Sequence, residues 1–317
     1  MAAKFGLPAT FSSAEELIGK TGAEVVLIGT PPSTHFDLSK LALQSGAHVL
    51  CEKPFMQTIE EADQIIEIAR TSNRLLRVNN QYRFMPFYAE TKRRLSQGEF
   101  GRPFYLQAWQ QMFHPPQTEI NWRAQMSEYV LFEFGTHALD LACFFFDALP
   151  SAISVETPRA RAEFTADVLV HVTLRFPGER LAVFSFNRIS HAPEKYLEMR
   201  LDCDAASVRM SLGGVARIGL DWSSVAGRPT LRAGLVKGGE ARVEKDGLSR
   251  TICRAAKSQF APATADHLRL FLSDIQAPSP NLQAAHHARE VLRAVFAGYE
   301  SARTGQTVQL KQETYFS

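Results

Sequence analysis

The stretch VVLIGTPPSTHFDLSKLALQSGAHVLCEKP, residues 25–54, decides the fold. Residues 24–28 (EVVLI) form a continuous apolar run of the kind found in a strand buried on both faces. The run breaks at Gly29-Thr30-Pro31-Pro32, and helical spacing follows at Phe36, Leu38, Leu41, Ala42 and Leu43. Ser45-Gly46 is a natural helix stop, and residues 48–51 (HVLC) read as a second short strand.

The same alternation continues on both sides. Upstream, Ser12-Ser13-Ala14-Glu15-Glu16 has the look of a helix N-terminus, with Ser13 or Ser12 as cap and acids in the first turn. Downstream, residues 58–70 open with a Thr58-x-x-Glu61 capping box and carry Ile65, Ile66, Ile68 and Ala69 on one side, and residues 75–78 make a third strand. Repeated strand-to-helix units of this kind predict a parallel sheet covered by helices.

Beyond Phe84 the period changes. Residues 104–109, 152–157, 168–176, 181–187, 196–202 and 207–211 alternate as strands of a mainly antiparallel sheet. Residues 129–146 read as a helix, and residues 282–303 form an amphipathic helix stopped by Gly305. The predicted class is α/β plus α+β.

Composition narrows the partners. The 317 residues are 45% hydrophobic and 21% charged, with 35 Lys and Arg against 33 Asp and Glu. The net charge of +2 predicts no polyanionic partner, so nucleic acid is not expected. The most apolar stretch, residues 139–149, is broken by Asp140 and Asp147 and falls short of the roughly 20 residues that span a bilayer. The opening MAAKFGLPATFSS lacks the cationic and apolar segments of a secretory signal, so the expected location is the cytoplasm. Cys51, Cys143, Cys203 and Cys253 are scattered without a CxxC pair, which predicts reduced thiols.

Two groups of residues carry chemistry. The string HVLCEKP places Lys53 at the C-terminal end of a parallel strand, where ligands of open α/β sheets bind. A lysine there can hold a substrate hydroxyl and adjust the proton affinity of a neighbouring base, while Pro54 stiffens its turn. The other reading of Glu52 and Lys53 is a solvated loop pair.

In Glu133-Phe-Gly-Thr-His137-Ala-Leu-Asp140 the spacings of four and three put a carboxylate, an imidazole and a carboxylate on one helix face. An imidazole suits general-base removal of an alcohol proton, and a carboxylate can fix its tautomer. A satisfied histidine on a half-buried helix is the competing reading. A carboxylate-rich metal site from Glu133, His137 and Asp140 ranks below both, because Lys53 would be a poor neighbour for a cation. No metal is expected.

Four blocks together resemble the Gfo/Idh/MocA family, named for glucose-fructose oxidoreductase, inositol dehydrogenase and a rhizopine-catabolism protein: residues 25–54, VNNQYRFMP (78–86), GTHALDLA (135–142) and YESARTGQTVQL (299–310). The resemblance runs over essentially the whole chain. It implies a doubly wound Rossmann domain for NAD or NADP over residues 1–82. It further implies an α+β domain with a large open sheet over residues 83–317, supporting the substrate site and homo-oligomer contacts, with the C-terminal helix packing back toward the N-terminal domain. Hydride would pass between nicotinamide and a hydroxyl-bearing carbon of a sugar or polyol.

By matching positions the resemblance makes Lys53 the lysine that contacts substrate and nicotinamide ribose, with Glu52 beside it, and His137 the acid/base. Glu133 stands where inositol dehydrogenase-like members place an Asp and is expected to orient His137. Thr30, Pro31, Pro32 and His35 match the loop along the nicotinamide half of the cofactor. Tyr82, Arg83 and Asp140 are candidate substrate-side residues. Trp122 and Arg123 resemble a frequent WR pair, although the Gly-rich stretch that usually follows is replaced by Ser127-Glu128-Tyr129-Val130.

One departure is large. Members of the family begin with a strand, a G-x-G-x-x-G turn, a helix and a second strand ending in an acid, and none of these stands ahead of residue 6 or after it. The expected Rossmann domain is therefore incomplete, with weakened cofactor affinity and an apolar edge on residues 25–28. A start at an internal Met of a longer protein is one expectation. A redox-inactive sugar-binding, regulatory or lyase-type relative is the alternative.

Overall fold

The structure, a computed structural model, describes residues 2–115, 122–159, 161–192, 195–213, 215–222, 229–236 and 238–311. The chain begins with α1 (Ala2–Phe5), α2 (Ala14–Thr21), β1 (Val25–Ile28), α3 (His35–Gln44), β2 (His48–Cys51), α4 (Ile59–Thr71) and β3 (Leu76–Val78). Next come α5 (Pro86–Ser96), β4 (Pro103–Gln111), α6 (Thr136–Phe146), β5 (Ala152–Glu156), β6 (Leu169–Phe176), β7 (Arg180–Asn187), β8 (Lys195–Cys203) and β9 (Ser207–Leu212). The remainder is β10 (Val215–Trp222), β11 (Pro229–Val236), β12 (Gly239–Lys245), β13 (Leu248–Ala255), α7 (Phe260–Asp274), α8 (Gln283–Thr304) and β14 (Val308–Gln309). Among the described residues, one compact unit gathers 2–80 with 267–293, and the other gathers 81–266 with 294–311.

The first unit is built on a parallel sheet in the order β1-β2-β3, with Val26 opposite Val49 and Leu50 opposite Arg77. Ser13 and Thr58 cap α2 and α4 by accepting from the amides of Glu16 and Glu61 at 3.2 and 3.1 Å, as the sequence predicts. Among the described residues β1 pairs with β2 alone, and Leu27 is 58% exposed, so the apolar edge is present.

Residues 267–293 return to this unit. Phe271 of α7 joins Leu50 and Leu75 in a buried cluster, with Val25, Leu268 and Ile275 packed against it; each such side chain contributes roughly 1.5–3 kcal/mol of burial. Asp274 pairs with buried Arg77 at 2.6 Å, and Arg289 of α8 pairs with Asp63 of α4 at 2.9 Å.

The second unit holds a nine-stranded sheet in the order β13-β12-β9-β8-β4-β7-β6-β5-β14, antiparallel except for the β4-β7 pair, with β10-β11 as a separate hairpin. Alternate residues bury: Leu106 and Ala108 in β4, Val170, Val172 and Leu174 in β6, and Ala182, Phe184 and Phe186 in β7. The six predicted strands match β4 to β9. Sequence periodicity missed β10 to β14; in β12-β13 the apolar-polar alternation is confined to Glu240-Ala241-Arg242-Val243-Glu244, and residues 245–250 are exposed. No helix among the described residues is long and apolar enough to cross a membrane. All four cysteines are free thiols, three of them buried.

Candidate functional site

The carboxyl ends of β1, β2 and β3 lie side by side, so the residues after each strand share one edge. After β1 come Gly29, exposed Thr30, half-buried Pro31 and buried Pro32; after β2, half-buried Glu52 and Lys53; after β3, buried Asn79. A Cβ on Gly29 would meet nothing within 4 Å, which leaves the backbone here open to an approaching ligand.

His35, the first residue of α3, is fully buried and ties two of these turns together. Its Nδ1 lies 3.0 Å from the Pro54 carbonyl oxygen and 3.2 Å from that of Phe55, and its Nε2 lies 3.0 Å from that of Thr30. The imidazole is therefore a tie beneath the edge; of Thr30, Pro31, Pro32 and His35, the first two reach solvent. Glu52 is also more than half of a solvated pair: its Oε1 accepts from Asn79 Nδ2 at 2.6 Å, and Asn79 Oδ1 lies 3.0 Å from His267 Nδ1.

In the second unit the sequence predicts a regular helix through Glu133, His137 and Asp140. The structure instead places a π-helical turn at Leu131–Gly135 that runs directly into α6. Such a turn holds more residues than an α turn, so Glu133 does not keep the regular spacing to His137; π turns are frequent at functional sites. Gly135 permits it, because a Cβ there would stand 2.8 Å from Leu131 Cδ1.

All three side chains are buried, and each meets a partner from elsewhere in the unit. Glu133 accepts from Arg123 Nε at 3.1 Å, and the Arg123 guanidinium lies 4.4 Å above the Trp122 ring. Asp140 accepts two bonds from Arg83, at 2.7 and 2.6 Å. His137 stacks on Tyr82 with ring centroids 3.8 Å apart. Tyr82 in turn donates to the Tyr196 hydroxyl at 2.6 Å; burial, then Tyr196, pushes the Tyr82 phenol well above its ordinary range and keeps it a donor. Among the described residues no group of three or more His, Cys, Asp or Glu could hold a metal ion.

A feature that sequence reading missed holds this helix in place. The Asp167 carboxylate accepts from the amides of Tyr129, Val130 (2.9 Å) and Leu131 (3.0 Å). It also accepts from the Tyr299 hydroxyl at 3.0 Å, and that hydroxyl oxygen accepts from the Phe132 amide at 3.1 Å. Four successive amides at a helix start are thus satisfied from β6's approach and from α8.

Residues 1–80 match the family model described as an oxidoreductase family with the NAD-binding Rossmann fold, and residues 88–209 match the GFO/IDH/MocA C-terminal domain. The chain belongs to the Gfo/Idh/MocA oxidoreductase family. This Gfo/Idh/MocA chain is 26% identical over 212 residues to the uncharacterized oxidoreductase YdgJ of Escherichia coli, covering 66% of the chain and 58% of the relative. It is 29% identical over 139 residues to scyllo-inositol 2-dehydrogenase (NAD(+)) of Bacillus subtilis, covering 44% and 40%. The chain spans about half the length of these relatives. An Agrobacterium radiobacter oxidoreductase solved in complex with NAD+, L-tartaric acid and magnesium shares the fold, with a TM-score of 0.76 at 16% identity over 97% of this chain and 86% of the other.

The first unit's edge offers an open backbone at Gly29, a hydroxyl at Thr30, a carboxylate at Glu52 and an ammonium at Lys53, groups whose chemistry fits part of such a cofactor. None of the 19 glycines of this Gfo/Idh/MocA sequence stand at G-x-G-x-x-G spacing. A glycine-rich pyrophosphate cradle is therefore not among the described residues.

Proposed function

We propose that this chain is an NAD(P)-dependent oxidoreductase acting on a hydroxyl or carbonyl group of a sugar, polyol or related small molecule. The observation that carries the reading is the edge shared by Thr30, Pro31, Glu52 and Lys53 at the carboxyl ends of adjacent parallel strands. A relative named for scyllo-inositol supports a polyol-type substrate.

Bound nicotinamide would supply the hydride exchange with the substrate carbon. Thr30 and Pro31 would border it, and Glu52 and Lys53 would offer an acceptor and a cation. Lys53 Nζ donates to the substrate oxygen and lowers its proton affinity. His137 takes the hydroxyl proton in oxidation and returns it in reduction. The stack on Tyr82 restrains the imidazole, and Glu133, held by Arg123, fixes the turn that leads into His137. Trp122 and Arg123, both half-buried, take the substrate-facing role, whereas Arg83 and Asp140 hold each other.

The assembly we assign is a homo-oligomer through the large sheet. Gln107, Trp109, Thr173 and Val183 sit on the face opposite the buried alternation, adjacent in register on β4, β6 and β7, and each keeps solvent contact. Trp109→Arg should shift the mass measured by light scattering toward a monomer.

Titration of the chain with NADH and NADPH, followed by nicotinamide fluorescence, tests the cofactor reading. Saturable binding of either supports it. Binding of neither replaces it with the redox-inactive sugar-binding, regulatory or lyase-type reading. For the roles, His137→Ala and Lys53→Ala should each lower turnover about a hundredfold or more, and loss within about threefold would overturn the assignment.

A further inference from the structure

We infer that His267 is a positioning residue that fixes Glu52, through Asn79, at the ligand edge of the parallel sheet. The inference rests on the reading of that edge as the nicotinamide side of a cofactor site. It concerns a residue 215 positions from Glu52 in the chain.

A carboxylate only accepts, so the Asn79 atom 2.6 Å from Glu52 Oε1 is the amide nitrogen Nδ2. The Asn79 atom facing His267 is then the carbonyl oxygen Oδ1, which also only accepts. It lies 3.0 Å from His267 Nδ1, so that nitrogen carries a proton. The reverse orientation of the amide would set Oδ1 against the Glu52 carboxylate. The direction of all three groups is thus determined: His267 Nδ1–H to Asn79 Oδ1, and Asn79 Nδ2–H to Glu52 Oε1.

Everything around this line is already pinned. Asn79 is 2% and His267 4% exposed, so the two bonds act with little competition from water. The Glu52 amide donates to the Ile28 carbonyl at 2.8 Å and the Asn79 amide to the Cys51 carbonyl at 2.7 Å, which fixes the backbone of both strand ends. Helix α7 brings His267 to its place by burying Phe271 against Leu50 and Leu75 and by pairing Asp274 with Arg77. What remains adjustable at the edge is the Glu52 side chain, and the chain of bonds from His267 sets it. Asn79 occupies Oε1, which leaves Oε2 as the oxygen for an N–H or O–H donor of a ligand.

The test uses the full chain and two variants. His267→Asn keeps an amide N–H close to the position of Nδ1, while His267→Leu keeps bulk and removes the donor. In the parent, nitrogen-15 NMR of the imidazole should show a proton on Nδ1. A His267 ring protonated on Nε2 alone overturns the inference. The carbon-13 carboxyl resonance of Glu52 should move in His267→Leu and return toward the parent in His267→Asn. A Glu52 resonance unmoved by His267→Leu overturns it, as does one moved equally by both variants at unchanged circular dichroism.

With NADH as the probe, His267→Leu should bind about tenfold more weakly and His267→Asn within about threefold of the parent, the size expected for a hydrogen bond serving a charged group. Binding by His267→Leu equal to the parent counts against the inference. A parent that binds no NADH defeats the cofactor reading, and the two NMR readouts still decide the role of His267.

Discussion

The imidazole of His137 lies flat on the phenol of Tyr82, with centroids 3.8 Å apart and ring planes within 5° of parallel. Tyr82 is itself held by its bond to Tyr196 and by the edge of Phe260, 5.8 Å away. One face of His137 is therefore covered by a ring that has little freedom to move. The ring-current displacement of the His137 ring protons should survive in Tyr82→Phe and vanish in Tyr82→Leu. Turnover should fall roughly tenfold in Tyr82→Leu, since misorienting an acid/base group is costly. An unchanged rate in Tyr82→Leu would show that the stack does not serve the chemistry.

Asp167 satisfies three amides at the start of the helix that carries Glu133 and His137. Asp167→Ala should lower stability by about 1–3 kcal/mol through orphaned donors, and Tyr299→Phe by about 1 kcal/mol, read as shifts in denaturant midpoint. Burial pushes the Asp167 carboxyl up to about 6 despite these donors. A folded-state value above the ordinary one means that ionised Asp167 costs stability at neutral pH. The cost disappears as pH falls from about 6 toward about 4. The parent should therefore gain on Asp167→Asn over that window, and a constant gap between the two would refute the titration.

Gly298 lies in α8 where a Cβ would stand 2.9 Å from Leu131 Cδ2, 3.0 Å from Val155 Cγ2 and 3.2 Å from Ile153 Cδ1. Glycine to alanine inside an exposed helix gains up to about 1 kcal/mol. Here the contact should win, and Gly298→Ala should destabilise by about 1–3 kcal/mol. A rise in melting temperature would mean that α8 can move away from the π turn at little cost.

Arg83 and Asp140 form a two-bond pair with the Asp140 side chain 2% exposed. Arg83→Met alone should cost about 3–5 kcal/mol by leaving a buried charge uncompensated. Arg83→Met with Asp140→Leu should recover most of that loss, and a double-mutant cycle measures the coupling. Additive effects of the two changes would show that the pair is not a unit.

The sequence made the parallel sheet legible because Val25–Ile28 and His48–Cys51 are apolar runs between capped helices, and it picked out Lys53, Glu133 and His137 by motif. It could not show the partners. Asp167 caps amides 36 to 38 positions before it, and His267 bonds to a side chain 188 positions away; no local period encodes either. Nothing in the string VNNQYRFMP or in Trp122-Arg123 reveals that Arg83 pairs with Asp140 and Arg123 with Glu133. The π turn was hidden for a similar reason: its residues, Leu131 to Gly135, have ordinary helical composition.

The return of α7 to the first unit has a consequence for synthesis. Leu50 and Leu75 leave the ribosome long before Phe271, which covers them, and residues 81–266 are made in between. At about 5–20 residues per second that interval is roughly 10 to 40 s. The nascent chain spends it with Leu50 and Leu75 not yet covered by Phe271, so the half-made protein exposes apolar surface that the finished one buries.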